Sequence, residues 1–219
     1  MLTQVDVRHV FHALALDETR SPFQPTLIHI PDDATRSIVQ IWFAGTHRDL
    51  GKDTEGIGLV DYPLATLLQQ IRNVFPDFVF NEPALRERFP AYEVEGTVAA
   101  RFPIHEIQRT NTGFMRLMGA SSRTPGRYYK HGCKTNEFIC PSVCMREVAS
   151  RQSAVPGFQR VVVDGRTVWL EQRGLRINTS DSGGSLPRVE IPEAECGDFM
   201  ARLLGWPRSA GRHDDGVLE

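Results

Sequence analysis

The chain has 219 residues, of which 41% are hydrophobic and 24% charged, and its formal net charge is -2. This composition supplies enough apolar side chains for a core, and the nearly balanced charge argues against a nucleic-acid partner or an anionic membrane surface. The sequence contains neither an apolar run of about 18 residues nor the series typical of a signal peptide. We therefore expect an intracellular, cytoplasmic protein without a transmembrane segment.

Apolar residues near the start of the chain recur at helical spacing. They follow the order i, i+3, i+4, i+7 and i+8, which predicts an amphipathic helix over residues 4–16. The residues that carry this spacing are Val7, Val10, Phe11, Leu14 and Ala15. Because no strand precedes this predicted helix, we expect that the chain begins in the middle of a fold.

Two strands and a helix are predicted between residues 26 and 73. Residues 26–30 form a short predicted strand, and the almost continuous apolar run over residues 37–44 is typical of a parallel strand covered on both faces. The helical spacing of the next apolar residues predicts a helix over residues 61–73, with Asp61 as its N-cap. These elements favour the α/β class, as the last part of a sheet.

One histidine follows the predicted strand 37–44 directly. His47 lies in a loop that Gly45 and Gly51 flank. A histidine at the carboxyl edge of an α/β sheet is suited to general-base catalysis near neutral pH. The alternative is a loop histidine that bonds the local backbone. Asp49 could orient the His47 imidazole as the acid of a catalytic pair, or it could simply stabilise the loop.

A histidine base needs a nucleophile, and the sequence offers no clear one. In α/β hydrolases the serine nucleophile occupies Gly-x-Ser-x-Gly and precedes the histidine in the chain. No such motif occurs in the sequence. The segment most similar to it surrounds Ser121, but that segment lacks the second glycine and follows His47. Cys140 or Cys144 paired with His47 remains an open alternative, although nothing in the sequence indicates a thiol with a lowered pKa.

We predict no metal ion and no organic cofactor. The cysteine spacing does not match a zinc finger or ribbon, so packed, reduced thiols are the simpler interpretation. The four cysteines are Cys133, Cys140, Cys144 and Cys196. A cation held by Asp49, Asp53 and Glu55 is an unspecific alternative to a solvated acidic loop.

The second half of the chain has weaker patterns. Asp164-Gly165 lies between two β-rich runs and predicts a hairpin over residues 161–170. Pro192 is predicted to open a short helix that ends at Leu204. The remaining prolines, glycines and scattered aromatic residues indicate an irregular α+β extension.

Three segments resemble a family of α/β-hydrolase-like domains, which includes the phospholipase effectors of type VI secretion and many fungal proteins. The first segment covers residues 7–23 and the second residues 40–59. The third, over residues 112–146, is similar to the fungal branch. The second is the most specific, because a strand, the pattern Gly-x-His-x-Asp-x-Gly and a helix occur in it in a fixed order.

This resemblance implies a serine hydrolase that acts on lipid esters through a Ser-Asp-His triad, with His47 as the base. It also implies that the serine and the acid precede the first segment. Two residues depart from the family pattern: Lys52 replaces a glycine, and Cys140 stands where histidine is common. We therefore predict a truncated, phospholipase-like serine hydrolase that keeps the base, lacks the nucleophile and is inactive alone. The alternative is a non-catalytic, degenerate relative that acts as an interaction protein.

The predicted architecture is the C-terminal portion of a three-layer, α/β-hydrolase-like fold. Residues 1–75 would form the sheet domain, residues 76–205 an extension with a hairpin near 160–170, and residues 206–219 a disordered tail. The expected partner is a lipid or ester substrate, if the protein is complete. Self-association through an exposed sheet edge is a further expectation.

Overall fold

The computed structural model of the chain describes residues 7–30, 36–51, 59–89, 102–103, 119, 121–147, 155–172 and 189–204. Within these ranges strands and helices are mixed, which confirms the predicted α/β class. The elements in chain order are β1 (His9–Ala15), β2 (Ser37–Phe43), α1 (Asp61–Val74), α2 (Glu82–Arg88), β3 (Phe102–Pro103), β4 (Glu137–Ile139), β5 (Arg146–Glu147), β6 (Phe158–Val163), β7 (Arg166–Glu171), β8 (Glu190–Pro192) and α3 (Asp198–Leu204).

A parallel sheet of three strands forms the centre of the described structure. Its order is β1-β2-β4, and β1 pairs with β2 along its whole length, from His9 opposite Ser37 to Ala15 opposite Phe43. The short strand β4 pairs with the second half of β2, with Phe138 opposite Ile41. Because all three strands run in the same direction, their carboxyl ends meet at one edge.

The predicted helix over residues 4–16 is wrong, because residues 9–15 form strand β1. Phe11 and Ala13 face the helices on one side of the sheet, whereas Leu14 and Leu16 pack on the opposite side. A strand that buries apolar residues on both faces produces a nearly continuous apolar run. Such a run also satisfies helical spacing, so periodicity alone cannot distinguish the two structures.

The other predictions for the first half have mixed outcomes. The predicted strand 37–44 is confirmed as β2, and the predicted helix 61–73 is confirmed as α1, although its N-cap is Val60 rather than Asp61. The predicted strand 26–30 is wrong. The backbone of Ile28 instead bonds the buried side chain of Gln40, which accepts from its N–H and donates to its carbonyl.

The central sheet is covered on both faces. On one face α1 and α3 bury a core that includes Ile41, Phe43, Tyr62, Phe199 and Leu203. On the other face an antiparallel sheet of the order β6-β7-β8 contributes to a second core. That core includes Leu14, Trp42, Ile139, Trp169 and Ile191.

The predicted hairpin is confirmed. Strands β6 and β7 pair in antiparallel fashion, and Asp164 and Gly165 have φ angles of 49° and 72°, as a tight hairpin turn requires. The predicted helix start at Pro192 is wrong. Pro192 is the last residue of β8 and lies opposite Val168, and the helix begins only at Asp198.

A buried carboxylate links β4 to the rest of the structure. Glu137 accepts hydrogen bonds from the indole Nε1 of Trp42 at 2.7 Å, from the backbone N–H of Gly126 at 2.9 Å and from the hydroxyl of Thr135 at 2.6 Å. The side chain of Glu137 is fully buried. These bonds connect the segment 121–126 with strand β2.

None of the helices in the described ranges combines the length and hydropathy needed to cross a bilayer. The predicted disordered tail, residues 206–219, lies outside the described residues.

The substitution Glu137→Ala should lower the free energy of unfolding by ~3 kcal/mol or more, because three buried donors lose their acceptor. Urea unfolding followed by tryptophan fluorescence measures this change. Glu190 is exposed on β8, so Glu190→Ala is a matched control with little expected effect. Equal losses in the two variants would contradict a special role for the Glu137 network.

Candidate active site

The site lies where β1 and β2 end side by side. Their pairing continues beyond the strands, because the N–H of Leu16 donates to the carbonyl of Phe43 at 2.9 Å and the N–H of Asp17 donates to the carbonyl of Gly45 at 3.0 Å. The Asp17 carboxylate also accepts from the N–H of Gly45 at 2.7 Å. The next residues of both segments are therefore held close together at the carboxyl edge of the sheet.

The loop after β2 is closed by Asp49. Its carboxylate accepts hydrogen bonds from the N–H of Thr46 at 2.7 Å and from the Thr46 hydroxyl at 2.8 Å. A Cβ at Gly45 would lie only 2.9 Å from the Cβ of Asp49, and the Gly45 φ angle is +110°. Glycine is therefore required at this position, and the Asp49 carboxylate is engaged within the turn that precedes it.

The imidazole of His47 contacts the carboxylate of Glu18. The distance from Nδ1 to Oε2 is 2.6 Å, with the His47 side chain 46% exposed and the Glu18 side chain 2% exposed. Glu18 follows β1 just as His47 follows β2. When Nδ1 donates its proton to Glu18, the neutral imidazole keeps Nε2 as an acceptor. This is the tautomer that a general base requires.

Arg20 holds the Glu18 carboxylate from the other side. Its Nε donates to Oε1 at 2.7 Å, its Nη2 donates to Oε2 at 2.6 Å, and its backbone N–H also donates to Oε1 at 3.0 Å. The Arg20 Nη2 lies 3.0 Å from the Nδ1 of His47. In this tautomer Nη2 of Arg20 and Nδ1 of His47 are both donors, so they do not form a hydrogen bond with each other. They lie close together because both donate to Oε2 of Glu18.

These contacts keep Glu18 ionised. Burial acts to raise the pKa of Glu18, but the side-chain hydrogen bonds from Arg20 and His47, with the charge of Arg20, outweigh it and lower the pKa from 4.5 to about 2. A carboxylate that stays charged over the whole neutral range can stabilise a protonated imidazole at His47.

The ring of Phe23 covers one face of the His47 imidazole. The two rings are stacked with centroids 4.2 Å apart and an interplanar angle of 14°. The guanidinium carbon of Arg20 lies 4.5 Å from the centroid of the same Phe23 ring. Phe23 therefore limits the rotation of the imidazole.

Sequence reasoning missed Glu18, Arg20 and Phe23 as site residues. The signal was present in the pair Asp17-Glu18, which follows the apolar run 10–16 in the way that a catalytic loop follows a strand. The assignment of that run to a helix placed Glu18 at a helix end and concealed the signal. The long side chain of Glu18 reaches the imidazole that the shorter Asp49 was expected to orient.

The thiols do not have the properties of a nucleophile. Burial raises the pKa of Cys140 to about 12, and burial together with the Glu193 carboxylate raises the pKa of Cys144 to about 12. Both thiols are therefore protonated at neutral pH, which argues against the alternative of a cysteine nucleophile. The described residues contain no group of three or more His, Cys, Asp or Glu side chains arranged to hold a metal ion.

An apolar cleft of about 420 Å³ lies between β1 and α1. Its lining includes Arg88 and also Leu50 and Gly51, which follow His47 in the same loop. The remaining lining residues are Phe11, Ala13, Val60, Pro63, Leu64 and Leu67. The cleft thus offers apolar surface next to the loop that carries the histidine.

The first third of the chain resembles a known protein family. Residues 2–70 match the model described as "T6SS, Phospholipase effector Tle1-like, catalytic domain". The resemblance inferred from the sequence is thereby confirmed for this part of the chain. The matched range contains β1, β2 and most of α1, together with Glu18 and His47. Comparison with curated proteins and with solved structures gives no significant match.

The substitution Glu18→Gln should destabilise the protein in a pH-dependent way. A carboxyl whose pKa falls on folding stabilises the folded state above its unfolded pKa, and this contribution disappears as the pH falls from 4.5 towards about 2. The full effect is at most about 3 kcal/mol, because one pKa unit corresponds to about 1.4 kcal/mol and the exposed His47 adds solvent screening. Urea unfolding at pH 7 and at pH 3 should show that the difference between wild type and variant narrows in acid.

The exposed Glu87 on α2 provides the control Glu87→Gln, for which no pH-dependent difference is expected. A difference between wild type and Glu18→Gln that is the same at both pH values would show that the charge of Glu18 does not stabilise the fold.

Proposed function

We propose that His47 is the base of a serine-hydrolase-type site that acts on ester bonds of lipids, and that Glu18 is its acid, in place of the acid that the resemblance puts before residue 7. The observation that supports this most strongly is the 2.6 Å contact between the His47 Nδ1 and the Glu18 carboxylate, at the adjacent carboxyl ends of two parallel strands. The match of residues 2–70 to a phospholipase effector catalytic domain supports the substrate class. Lipid acyl chains are also compatible with the apolar cleft that Leu50 helps to line.

In this site His47 would accept a proton from an attacking hydroxyl through Nε2 and then donate it to the leaving alcohol. Glu18 would remain ionised throughout and stabilise the imidazolium. Arg20 would keep Glu18 charged, and Phe23 would hold the plane of the ring. Asp49 would serve the same site indirectly, because it closes the turn from which His47 projects.

The proposed catalytic set lacks its nucleophile. The 219 residues contain no Gly-x-Ser-x-Gly, and loss of the nucleophile costs a serine protease about 10⁶-fold in rate. We therefore propose that this chain, as a purified product, has the proton-transfer half of the site and no measurable esterase activity. The serine would have to be supplied by a polypeptide segment that these 219 residues do not include.

Hydrolysis assays and active-site labelling test this proposal together. The purified chain should neither hydrolyse a short-chain nitrophenyl ester or phosphatidylcholine vesicles nor react covalently with a fluorophosphonate. A product lengthened by the in-frame codons upstream of Met1 should gain both activities if those codons encode Gly-x-Ser-x-Gly. In the active product His47→Gln and Glu18→Gln should abolish or strongly reduce hydrolysis.

The control for these variants is His29→Gln, because His29 is also exposed but lies outside the site. Fluorophosphonate labelling of a residue within the 219-residue chain would overturn the part of the proposal that concerns the nucleophile. Full activity of His47→Gln in the lengthened product would overturn the assignment of the base.

One observation favours a second, non-catalytic candidate. Among the described residues β1 pairs only with β2, so its other side is an edge, and Phe11 and Ala13 of β1 line the apolar cleft. Edges and apolar surfaces of this kind promote association between chains. We propose as the alternative function that the chain is an interaction protein that self-associates through this edge.

Sedimentation velocity across a range of protein concentrations tests the alternative. Wild type should form dimers or larger species as the concentration rises, and Leu67→Glu should shift the distribution towards monomer, because Leu67 lines the cleft and is 37% exposed. Gln70→Glu, on the same helix, adds the same charge outside the cleft lining. A wild-type protein that stays monomeric at every concentration would exclude this candidate.

A further inference from the structure

A segment from the second half of the chain lies against the loop that carries Glu18. The N–H of Ser21 donates to the carbonyl of Gly119 at 3.2 Å, and the N–H of Ser121 donates to the carbonyl of Thr19 at 2.7 Å. The Gln24 side-chain amide also donates to the hydroxyl of Ser121. Nearly one hundred residues of sequence separate the two segments, yet their backbones are directly hydrogen-bonded.

Arg123 makes the most specific contacts between these segments. Its Nη2 donates to the backbone carbonyl of Arg20 at 3.1 Å and to that of Phe23 at 2.8 Å. Its Nη1 lies 3.5 Å from the carbonyl of Ser121. The two carbonyls bound by Nη2 belong to the residues whose side chains hold Glu18 and stack on His47. One guanidinium nitrogen thus fixes the backbone at both ends of the turn that builds the site.

The guanidinium of Arg123 is partly buried, and this burial carries an electrostatic cost. Burial lowers the pKa of its guanidinium, and the nearby negative charge of Glu18 opposes that effect. Its Nε is buried without a hydrogen-bond partner in the described structure. A partly desolvated guanidinium is costly, so carbonyl acceptors and the Glu18 charge must compensate for it.

The far end of the same segment is anchored to the sheet. The N–H of Gly126 donates to Glu137, and Glu137 accepts from the indole of Trp42 in β2. Strand β2 also leads into the loop of His47. The segment 121–126 therefore bridges the two halves of the site, from the strand that delivers His47 to the turn that delivers Glu18, Arg20 and Phe23.

We infer that Arg123 is a positioning residue for the pair Glu18–His47, acting through the backbone of Arg20 and Phe23. The inference deepens the proposed function, since it concerns the same site. It does not depend on hydrolysis, because the positions of His47 and Phe23 can be measured in an inactive protein. A purely structural role for Arg123 would leave the contact between these two rings unchanged in a folded variant.

Proton NMR of the full chain provides the test. The carbon-bound protons of the His47 ring lie over Phe23, whose ring current should shift them upfield. Their signals are assigned by their loss in His47→Gln, and the Phe23→Leu variant gives the unshifted reference. Arg123→Ala should lose most of the upfield shift, and Arg123→Lys should lose part of it, because one ammonium cannot maintain the same set of carbonyl contacts.

The matched control is Arg127→Ala, since Arg127 lies in the same region of the chain but is exposed. It should keep the wild-type shift. Near-ultraviolet circular dichroism of the buried tryptophans establishes that each variant is folded, and Arg123→Lys keeps the test decisive if Arg123→Ala does not fold. A folded Arg123→Ala, or an Arg123→Lys, with the complete wild-type shift would overturn the inference.

The outcomes separate this inference from the proposed function. Loss of the ring-current shift in Arg123→Ala supports the positioning role even if no product of any length hydrolyses esters. Conversely, a lengthened product that requires His47 for hydrolysis but keeps the wild-type shift without Arg123 would support the function and reject the positioning role.

Discussion

The parallel pairing of β1 with β2 is the interaction on which the rest of the structure depends. It extends from His9 to Ala15 and continues through Asp17 and Gly45. Because two parallel strands in this register end at the same height, the residues that follow them project from one edge. The buried carboxylate of Glu18 and the half-exposed imidazole of His47 thereby meet without a long connecting loop. A register shift of one residue would turn these side chains towards opposite faces.

The elements that sequence patterns predicted correctly have a local cause. Strand β2 is an almost continuous apolar run, α1 has a clear helical stripe, and the hairpin turn requires the backbone freedom of Asp164-Gly165. The prediction for strand β1 was wrong because its apolar residues are buried on both sides of the sheet. That one error also hid the contact with His47, since Glu18 lies at the carboxyl edge of the sheet only when the preceding run is a strand.

Other parts of the site could not be predicted because their cause is not local. Arg123 binds carbonyls about one hundred positions earlier, and Glu137 satisfies the indole of Trp42 across a similar separation. The residues concerned look like ordinary surface or loop residues in the sequence. Only the fold shows that a buried donor in β2 and a carbonyl in the Arg20 turn need partners, and only the fold identifies which residues provide them.

The strand β4 has a consequence for how the chain can be divided. A fragment that ended after α1 would keep both members of the Glu18–His47 pair. It would also leave the indole of Trp42 without Glu137 and the buried Gln40 amide without the carbonyl of Thr135. Each buried donor that is left without an acceptor costs about 1–3 kcal/mol. This is a substantial part of the free energy of unfolding of a small domain. The smallest autonomous folding unit must therefore reach at least to Ile139, well past residue 70, where the match to the family model ends.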